Sequence, residues 1–352
     1  MANQTRQLAE LLAGEGCAVT TLQTNAPYWP AWVGSIRGFR AGFRLAGHLL
    51  RLWREVRHAE IVHVMANSGW AWHLFTAPAI WVGSLRAVPV VVNYRGGDAE
   101  AFFARSFSRI RPTLARASAV IVPSGFLRAV FERYGVVTTI VPNVVNLDAF
   151  RPADIMPAAP HLLIARNLEP IYDVGTALRA FAIVAEHHRD ARLTIAGSGP
   201  EREQLEELAT ELGIGRKVRF TGALQNSELP ALYRAATIAV NSSLVDNFPI
   251  SLLEAMAGGV PIVSTRVGGI SYMVEHETTA LLVPPGDPRA LAGAMRRLIE
   301  DRTLAARLRA AGLEAVQRYA WLRVRPELFA VYVGARRARA ARADQAGTTA
   351  AR

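Results

Sequence analysis

Asn241-Ser-Ser-Leu-Val-Asp246-Asn-Phe-Pro249-Ile-Ser-Leu-Leu-Glu254-Ala-Met-Ala-Gly-Gly-Val-Pro261 is the stretch on which the reading of this chain turns. An apolar run ends at Asn241, a polar turn follows, and Pro249 stands where proline favours the first turn of a helix. Free backbone N–H groups at such a turn, with a helix dipole behind them, make an anion site suited to a diphosphate. The residues of that cradle are Asn247, Phe248, Pro249, Ile250 and Ser251. Two carboxylates flank it, Asp246 before the turn and Glu254 in the second helical turn, eight positions on. Taken alone, the turn reads more readily as a helix capped by Asp246 with a solvated Glu254; the surrounding pattern reverses that.

Outward from this turn, short β-branched runs alternate with helical periodicity along the whole chain. The expected strands are Ala18–Leu22, Ile61–Met65, Pro89–Asn93, Ala119–Val122 and Thr138–Val141, then His161–Ala165, Arg192–Ala196, Lys217–Phe220, Ile238–Asn241, Pro261–Val263 and Thr279–Val283. Helical stretches between them include Thr176–His187 and Pro200–Leu212. Strand and helix repeated in this way predict an α/β protein with parallel sheets covered on both faces. The proline-rich segment Phe150–Pro160 breaks the pattern. The expectation is two doubly wound, Rossmann-like domains facing a cleft: an N-terminal domain over 1–148, a linker over 149–160 and a C-terminal domain over 161–320. A helix over 321–340 returns to the N-terminal domain, and a frayed tail fills 341–352. Ligands belong at the carboxyl ends of the strands. The chain opens on an amphipathic helix, Met1–Ala13, where a doubly wound domain normally begins with a central strand. This first strand is missing, and an apolar strand ending in glycines is expected upstream in frame.

Composition narrows the function classes. The 352 residues are 51% hydrophobic and 20% charged, which excludes a disordered or fibrous chain. The single cysteine, Cys17, excludes a disulfide scaffold and a thiolate-cluster metal site. The net charge is +11, carried by arginine, since Lys217 is the only lysine. That sign favours anionic partners such as nucleotides or phospholipids. The basic residues are dispersed and no recognition fold appears, so nucleic acid is not expected. No secretory signal opens the chain. The uncharged stretch Ile61–Leu85 is interrupted by polar residues and Pro78, and reads as a buried strand, a loop and a buried helix rather than a membrane span. A cytoplasmic protein, peripheral at the inner membrane face, is the expectation. His63 and His73 read as core or cleft histidines rather than metal ligands.

The Asn241–Pro261 stretch resembles the signature of retaining glycosyltransferase family 4, two acids separated by seven residues, with Asp246 in place of the first glutamate and Glu254-Ala-Met-Ala-Gly-Gly-Val-Pro matching the remainder. Three further segments carry the resemblance: Val141-Pro-Asn-Val-Val-Asn-Leu-Asp-Ala-Phe-Arg-Pro152, Leu193-Thr-Ile-Ala-Gly197-Ser-Gly199-Pro-Glu-Arg202 and Phe220-Thr-Gly222. The resemblance implies the GT-B fold and transfer of a sugar, with retained configuration, from a nucleoside-diphosphate sugar to a glycan or lipid-linked acceptor. It implies no cofactor beyond that co-substrate. No Asp-x-Asp occurs, and neutralisation of the phosphates by arginine and N–H groups needs no metal. Asp246 would orient sugar hydroxyls, Glu254 the ribose, and Arg166 the diphosphate, with Gly197 and Gly199 also on the donor side.

Two departures stand out. Ala165-Arg166-Asn-Leu-Glu-Pro-Ile-Tyr-Asp173 aligns with a family turn that carries an arginine and a lysine, yet holds no lysine. Arg95 in Val91-Val-Asn-Tyr-Arg95-Gly-Gly-Asp98 occupies the place of a family histidine. An arginine cannot act as a base, but it can hold the transferred sugar or an acceptor phosphate. A membrane or acceptor face is expected from Tyr28–His58, with Trp29, Trp32, Arg37, Arg40 and Arg44; an ordinary domain helix with a buried apolar stripe fits as well. Two rivals remain: a non-catalytic nucleotide-sugar-binding relative, and a nucleotide-sugar epimerase.

Overall fold

The computed structural model describes residues 2–24, 40–153 and 159–350. Two compact units divide the chain, Met1–Val141 with Arg325–Arg352 (unit 1) and Pro142–Val324 (unit 2).

Unit 1 opens with α1 (Ala2–Gly14) and α2 (Arg40–Val56), then alternates β1 (Val62–Ala66), α3 (Ala77–Leu85), β2 (Val90–Tyr94), α4 (Ala99–Leu114), β3 (Ala119–Val122), α5 (Gly125–Glu132) and β4 (Thr139–Ile140). The four strands are parallel and lie in sequence order. All five residues of β2 are buried, as expected of a strand covered on both faces. Its core is aromatic: Tyr94, Phe103 and Phe131 meet at ring separations of 4.7–5.6 Å. Ala18–Leu22, expected as a strand, is not one: residues 18–21 are exposed and only Leu22 packs on the core. Within Ile61–Leu85, a single π-helical turn, Trp72–Thr76, leads into α3. Among the described residues no helix is long and apolar enough to cross a membrane.

Unit 2 continues with β5 (His161–Ala165), α6 (Val174–His187), β6 (Arg192–Ala196), α7 (Arg202–Glu211), β7 (Val218–Gly222), α8 (Leu229–Ala235), β8 (Ile238–Asn241), α9 (Ile250–Ala257), β9 (Ile262–Thr265), β10 (Leu281–Val283), α10 (Pro288–Glu300) and α11 (Arg302–Ala315). Its six strands are parallel in the order β10-β9-β8-β5-β6-β7. The direction of winding reverses between β5 and β8, the switch point at which open α/β sheets bind ligands beyond the carboxyl ends of the strands. The last helix, α12 (Trp321–Ala350), belongs to unit 1 from Arg325 and runs on into the stretch where a frayed tail was expected. It is tied there by Arg325 to Glu15 at 2.8 Å and by the Tyr332 hydroxyl to His63 at 2.8 Å.

Glycines let the loops beyond the unit 2 strands close on one another. A Cβ at Gly199, after β6, would stand 2.2 Å from the Leu168 carbonyl oxygen of the loop after β5. A Cβ at Gly269, after β9, would stand 1.7 Å from the Asn247 carbonyl oxygen of the loop after β8. Neither space exists, so only glycine fits. Gly293 in α10 has nothing within 4 Å of its absent Cβ. Gly199→Ala and Gly269→Ala are therefore expected to cost about 1–3 kcal/mol each in urea unfolding, while Gly293→Ala leaves stability unchanged or raises it. Equal effects at all three positions would contradict this packing.

Candidate active site

The site grows from four loops at the carboxyl edge of the unit 2 sheet. β5 delivers Arg166, β6 delivers Gly197-Ser-Gly199, β8 delivers Ser242 to Pro249, and β9 delivers Gly268-Gly269. Backbone bonds lock them together: Arg166 N–H to Ala196 O (3.0 Å), Leu168 N–H to Ser198 O (3.0 Å), and Gly269 N–H to Asp246 O (2.9 Å). The hydroxyl of Thr265 donates to Ser243 O at 2.6 Å, and that of Ser242 to Tyr172 O at 2.9 Å.

Arg166 and Asp246, 80 residues apart in sequence, form an ion pair across the switch point, Nη2 to Oδ2. Their side chains are 14% and 10% exposed, so the pair works largely outside bulk water, where leaving either charge alone is costly. Tyr172 closes one face of the guanidinium, its ring centroid 4.0 Å from Cζ. The Nε of Arg166 is buried and has no hydrogen-bond partner among the described residues. Burial pushes the Asp246 carboxyl above its ordinary range; Arg166, the backbone N–H groups of Phe248 and Asn247, and the Ser243 hydroxyl at 3.5 Å all act against that by favouring the ionised form.

This arrangement modifies the expected cradle. Pro249 is the N-cap of α9, with φ −66° and ψ 117°, so the helix begins at Ile250 rather than with the proline. The N–H groups of Asn247 and Phe248 turn back to the Asp246 carboxylate instead of facing an incoming anion. Ile250 and Ser251 then hold the first N–H groups of the helix, which have no intrahelical acceptor. Phe248 is buried as well, edge-on to Tyr319 at 5.6 Å, and its carbonyl accepts from Asn143 Nδ2 at 3.3 Å.

Glu254 is partly buried on α9 and not simply solvated. Its Oε2 accepts from the Tyr233 hydroxyl of α8 at 3.0 Å, and that hydroxyl also lies 3.1 Å from the Ser251 carbonyl oxygen. Burial raises the Glu254 carboxyl to about 7, against the Tyr233 hydrogen bond and the charge of Arg166. Burial, with Glu254 next, holds Tyr233 well above the usual tyrosine range, so it remains a donor.

Asp246, Arg166, Glu254, Gly197, Gly199 and residues 247–251 thus gather in unit 2, while Arg95 lies in unit 1 at the end of β2. Trp29, Trp32 and Arg37 lie outside the described residues, as do the side chains of Arg40 and Arg44 on α2. His63 is enclosed, bonded to Asn93 and Tyr332, whereas His73 is exposed rather than in the core. Tyr172, Tyr233 and Gly268-Gly269 complete the site without having been singled out in the sequence. The glycine pair after an expected strand was a usable signal; the two tyrosines carried none, because stacking on Arg166 within one loop and a bond to Glu254 21 positions away leave no periodic pattern.

The family model for glycosyl transferases group 1 matches residues 151–315, and that for glycosyltransferase family 4 matches residues 1–149. The phosphatidyl-myo-inositol mannosyltransferase of Mycobacterium leprae is 28% identical over 351 residues, covering 93% of this chain and 90% of the relative. The D-inositol 3-phosphate glycosyltransferase 1 of Catenulispora acidiphila is 35% identical over 214 residues, 56% of this chain and 51% of the relative. An uncharacterized glycosyltransferase of Methanocaldococcus jannaschii is 35% identical over 156 residues, 44% of this chain and 40% of the relative. The matched part thus spans about half the length or less of the latter two. Among solved structures, sucrose-phosphate synthase from Thermosynechococcus elongatus superposes with a TM-score of 0.73 at 25% identity, over 93% of this chain and 91% of the other. Anabaena HepE in complex with UDP superposes with a TM-score of 0.68 at 18% identity, over 80% of each chain. The two parallel-sheet units are those of the GT-B fold, and the chain belongs to the family 4 glycosyltransferases.

Proposed function

We propose that this chain transfers a sugar, with retention of configuration and without a metal, from a nucleoside-diphosphate sugar to a glycan or lipid-linked acceptor in polysaccharide or glycolipid assembly. The observation that carries the reading is the buried Arg166–Asp246 pair at the β5/β8 switch point, together with a guanidinium N–H that has no partner among the described residues and a start of α9 without a side-chain cap. Arg166 Nε and the Ile250 and Ser251 N–H groups take the diphosphate, and their fixed positive ends stabilise charge that grows on it as the glycosidic bond breaks. Asp246, anchored by its own loop, orients sugar hydroxyls. Glu254, held by Tyr233, accepts from the ribose hydroxyls. A donor phosphate oxygen takes the proton of the acceptor hydroxyl, so no side-chain base is needed. The UDP and UDP-glucose named with the HepE structures support a nucleotide-sugar donor.

A non-catalytic binder has one observation in its favour: Tyr172, not a second cation, accompanies Arg166. Turnover separates the two. Donor consumption with a panel of nucleotide sugars is expected to fall at least 100-fold in Arg166→Ala, the scale of one lost transition-state donor. Nucleotide binding without turnover by the wild-type chain would establish the binder instead.

Glu254 sets a pH dependence. An acid raised to about 7 loses its acceptor character as the pH falls through that value, so kcat/KM for the donor rises between pH 6 and 8 and then levels. Glu254→Gln lowers the plateau and removes the inflection; an inflection unchanged in that variant would contradict the assignment.

The membrane role falls to α2, which exposes Phe43 (58%) and Leu50 (61%) beside arginines such as Arg51 and Arg54, with Arg86 stacked 3.8 Å over Trp53. Aromatic and aliphatic anchors among arginines suit an anionic bilayer. Flotation with phosphatidylglycerol-containing vesicles is expected at low salt, weaker at 0.5 M salt and lost in Phe43→Glu/Leu50→Glu. Sedimentation of the wild type free of vesicles at low salt would remove this role.

A further inference from the structure

The chain enters unit 2 at Pro142 and leaves it at Val324. The entering stretch, 142–150, is neither helix nor strand, yet Asn143, Val145 and Phe150 on it are buried. Local bonds fix its course: the Asn146 side chain accepts from the N–H groups of Asp148 and Ala149, each at 3.1 Å, and Phe150 N–H donates to the Asn146 carbonyl at 3.2 Å. The Val145 N–H donates to the Tyr319 carbonyl at 3.1 Å, which ties the entering stretch to residues just before the exit. Val145, Phe150, Tyr233, Phe248 and Tyr319 share one buried cluster.

Each acid of the site has a support that leads back to this stretch. Asn143 Nδ2 donates to the Phe248 carbonyl at 3.3 Å, while the Phe248 N–H bonds the Asp246 carboxylate. Phe248 is thereby held at both of its peptide groups, with its ring edge-on to Tyr319. On the other arm, Phe150 packs edge-on against Tyr233, ring centroids 5.6 Å apart at 74°. The Tyr233 hydroxyl has one proton and two acceptors in reach, Glu254 Oε2 at 3.0 Å and Ser251 O at 3.1 Å. A small tilt of the ring decides which of them receives it, and the edge of Phe150 restricts that tilt. With residue 150 shortened, the proton can turn to the backbone carbonyl, and the carboxylate loses its hydroxyl donor.

We infer that the stretch 142–150 positions both acids of the site, Phe150 acting on Glu254 through Tyr233 and Asn143 acting on Asp246 through Phe248. Both are positioning residues, since each acts through another side chain or peptide. The roles of the two acids toward a donor rest on the transferase reading above; their mechanical support does not.

The full chain is labelled with 13C at the glutamate carboxyl carbons, and the Glu254 signal, identified by its loss in Glu254→Gln, is followed with pH by NMR. Burial holds this group at about 7, opposed by the Tyr233 hydrogen bond and the charge of Arg166, so weakening the hydrogen bond moves the midpoint up. Phe150→Leu, which keeps most of the side-chain bulk, is expected to raise the midpoint by about 0.5–1 unit, the scale of one hydrogen bond. Tyr233→Phe moves it the same way, and Phe150→Leu adds nothing further in that background. Val184→Ala, in the cluster on the opposite face of the sheet, lowers the melting temperature without moving the midpoint, which separates positioning from loss of packing. Asn143→Ala leaves the midpoint in place and lowers kcat about tenfold with UDP affinity unchanged, because Asp246 serves the sugar and not the nucleotide. A midpoint unmoved in Phe150→Leu, a shift that persists in the Tyr233→Phe background, or an unchanged kcat in Asn143→Ala overturns the inference. The carboxyl titration needs no turnover, so a chain that consumes no donor would defeat the transferase reading and still leave the Phe150 arm decided.

Discussion

The ion pair between Arg166 and Asp246 is the constraint around which unit 2 is organised. Two residues from loops after β5 and β8 can meet only because the sheet reverses its winding between those strands. The loops are held by Gly199 against Leu168 and by Gly269 against Asn247, approaches that no side chain permits. Once enclosed, neither charge is tolerable alone, so the pair fixes the loops as firmly as the loops fix the pair. Tyr172 takes one face of the guanidinium and Asp246 one edge, which leaves Nε without a partner.

Two acids eight residues apart on one segment end in different environments. Asp246 is bound into its own turn by Asn247 and Phe248 and by Arg166, all of which favour its ionised form. Glu254, one helical turn into α9, has a single hydroxyl donor and little solvent, and titrates near neutrality. The rigid acid suits the fixed position of a reacting sugar, and the titratable one suits a ribose that must enter and leave. The same physics distinguishes the two arginines. Arg166 has its carboxylate, whereas Arg95 is held by the side-chain amides of Asn93 and Gln4.

Much of this was legible in the amino-acid order, for identifiable reasons. Buried parallel strands are continuous β-branched runs, so Arg192–Ala196, Ile238–Asn241 and Ala119–Val122 could be bounded to the residue. Ala18–Leu22 had the same composition without a covered face, and composition alone does not supply a pairing partner. Pro249 fits the N-cap as well as the first helical turn, and only the backbone geometry decides between them. That difference redirects two N–H groups from a ligand to Asp246. Tyr172 and Tyr233 escaped notice because stacking within a loop and a hydrogen bond between helices leave no periodic trace.

The most direct measurement is the structure of the full chain with a bound nucleoside diphosphate. The account requires diphosphate oxygens within hydrogen-bond reach of Arg166 and of the Ile250 and Ser251 N–H groups, with a ribose hydroxyl on Glu254. A nucleotide seated elsewhere, with Arg166 Nε still unpartnered and Glu254 touching only Tyr233, would contradict it.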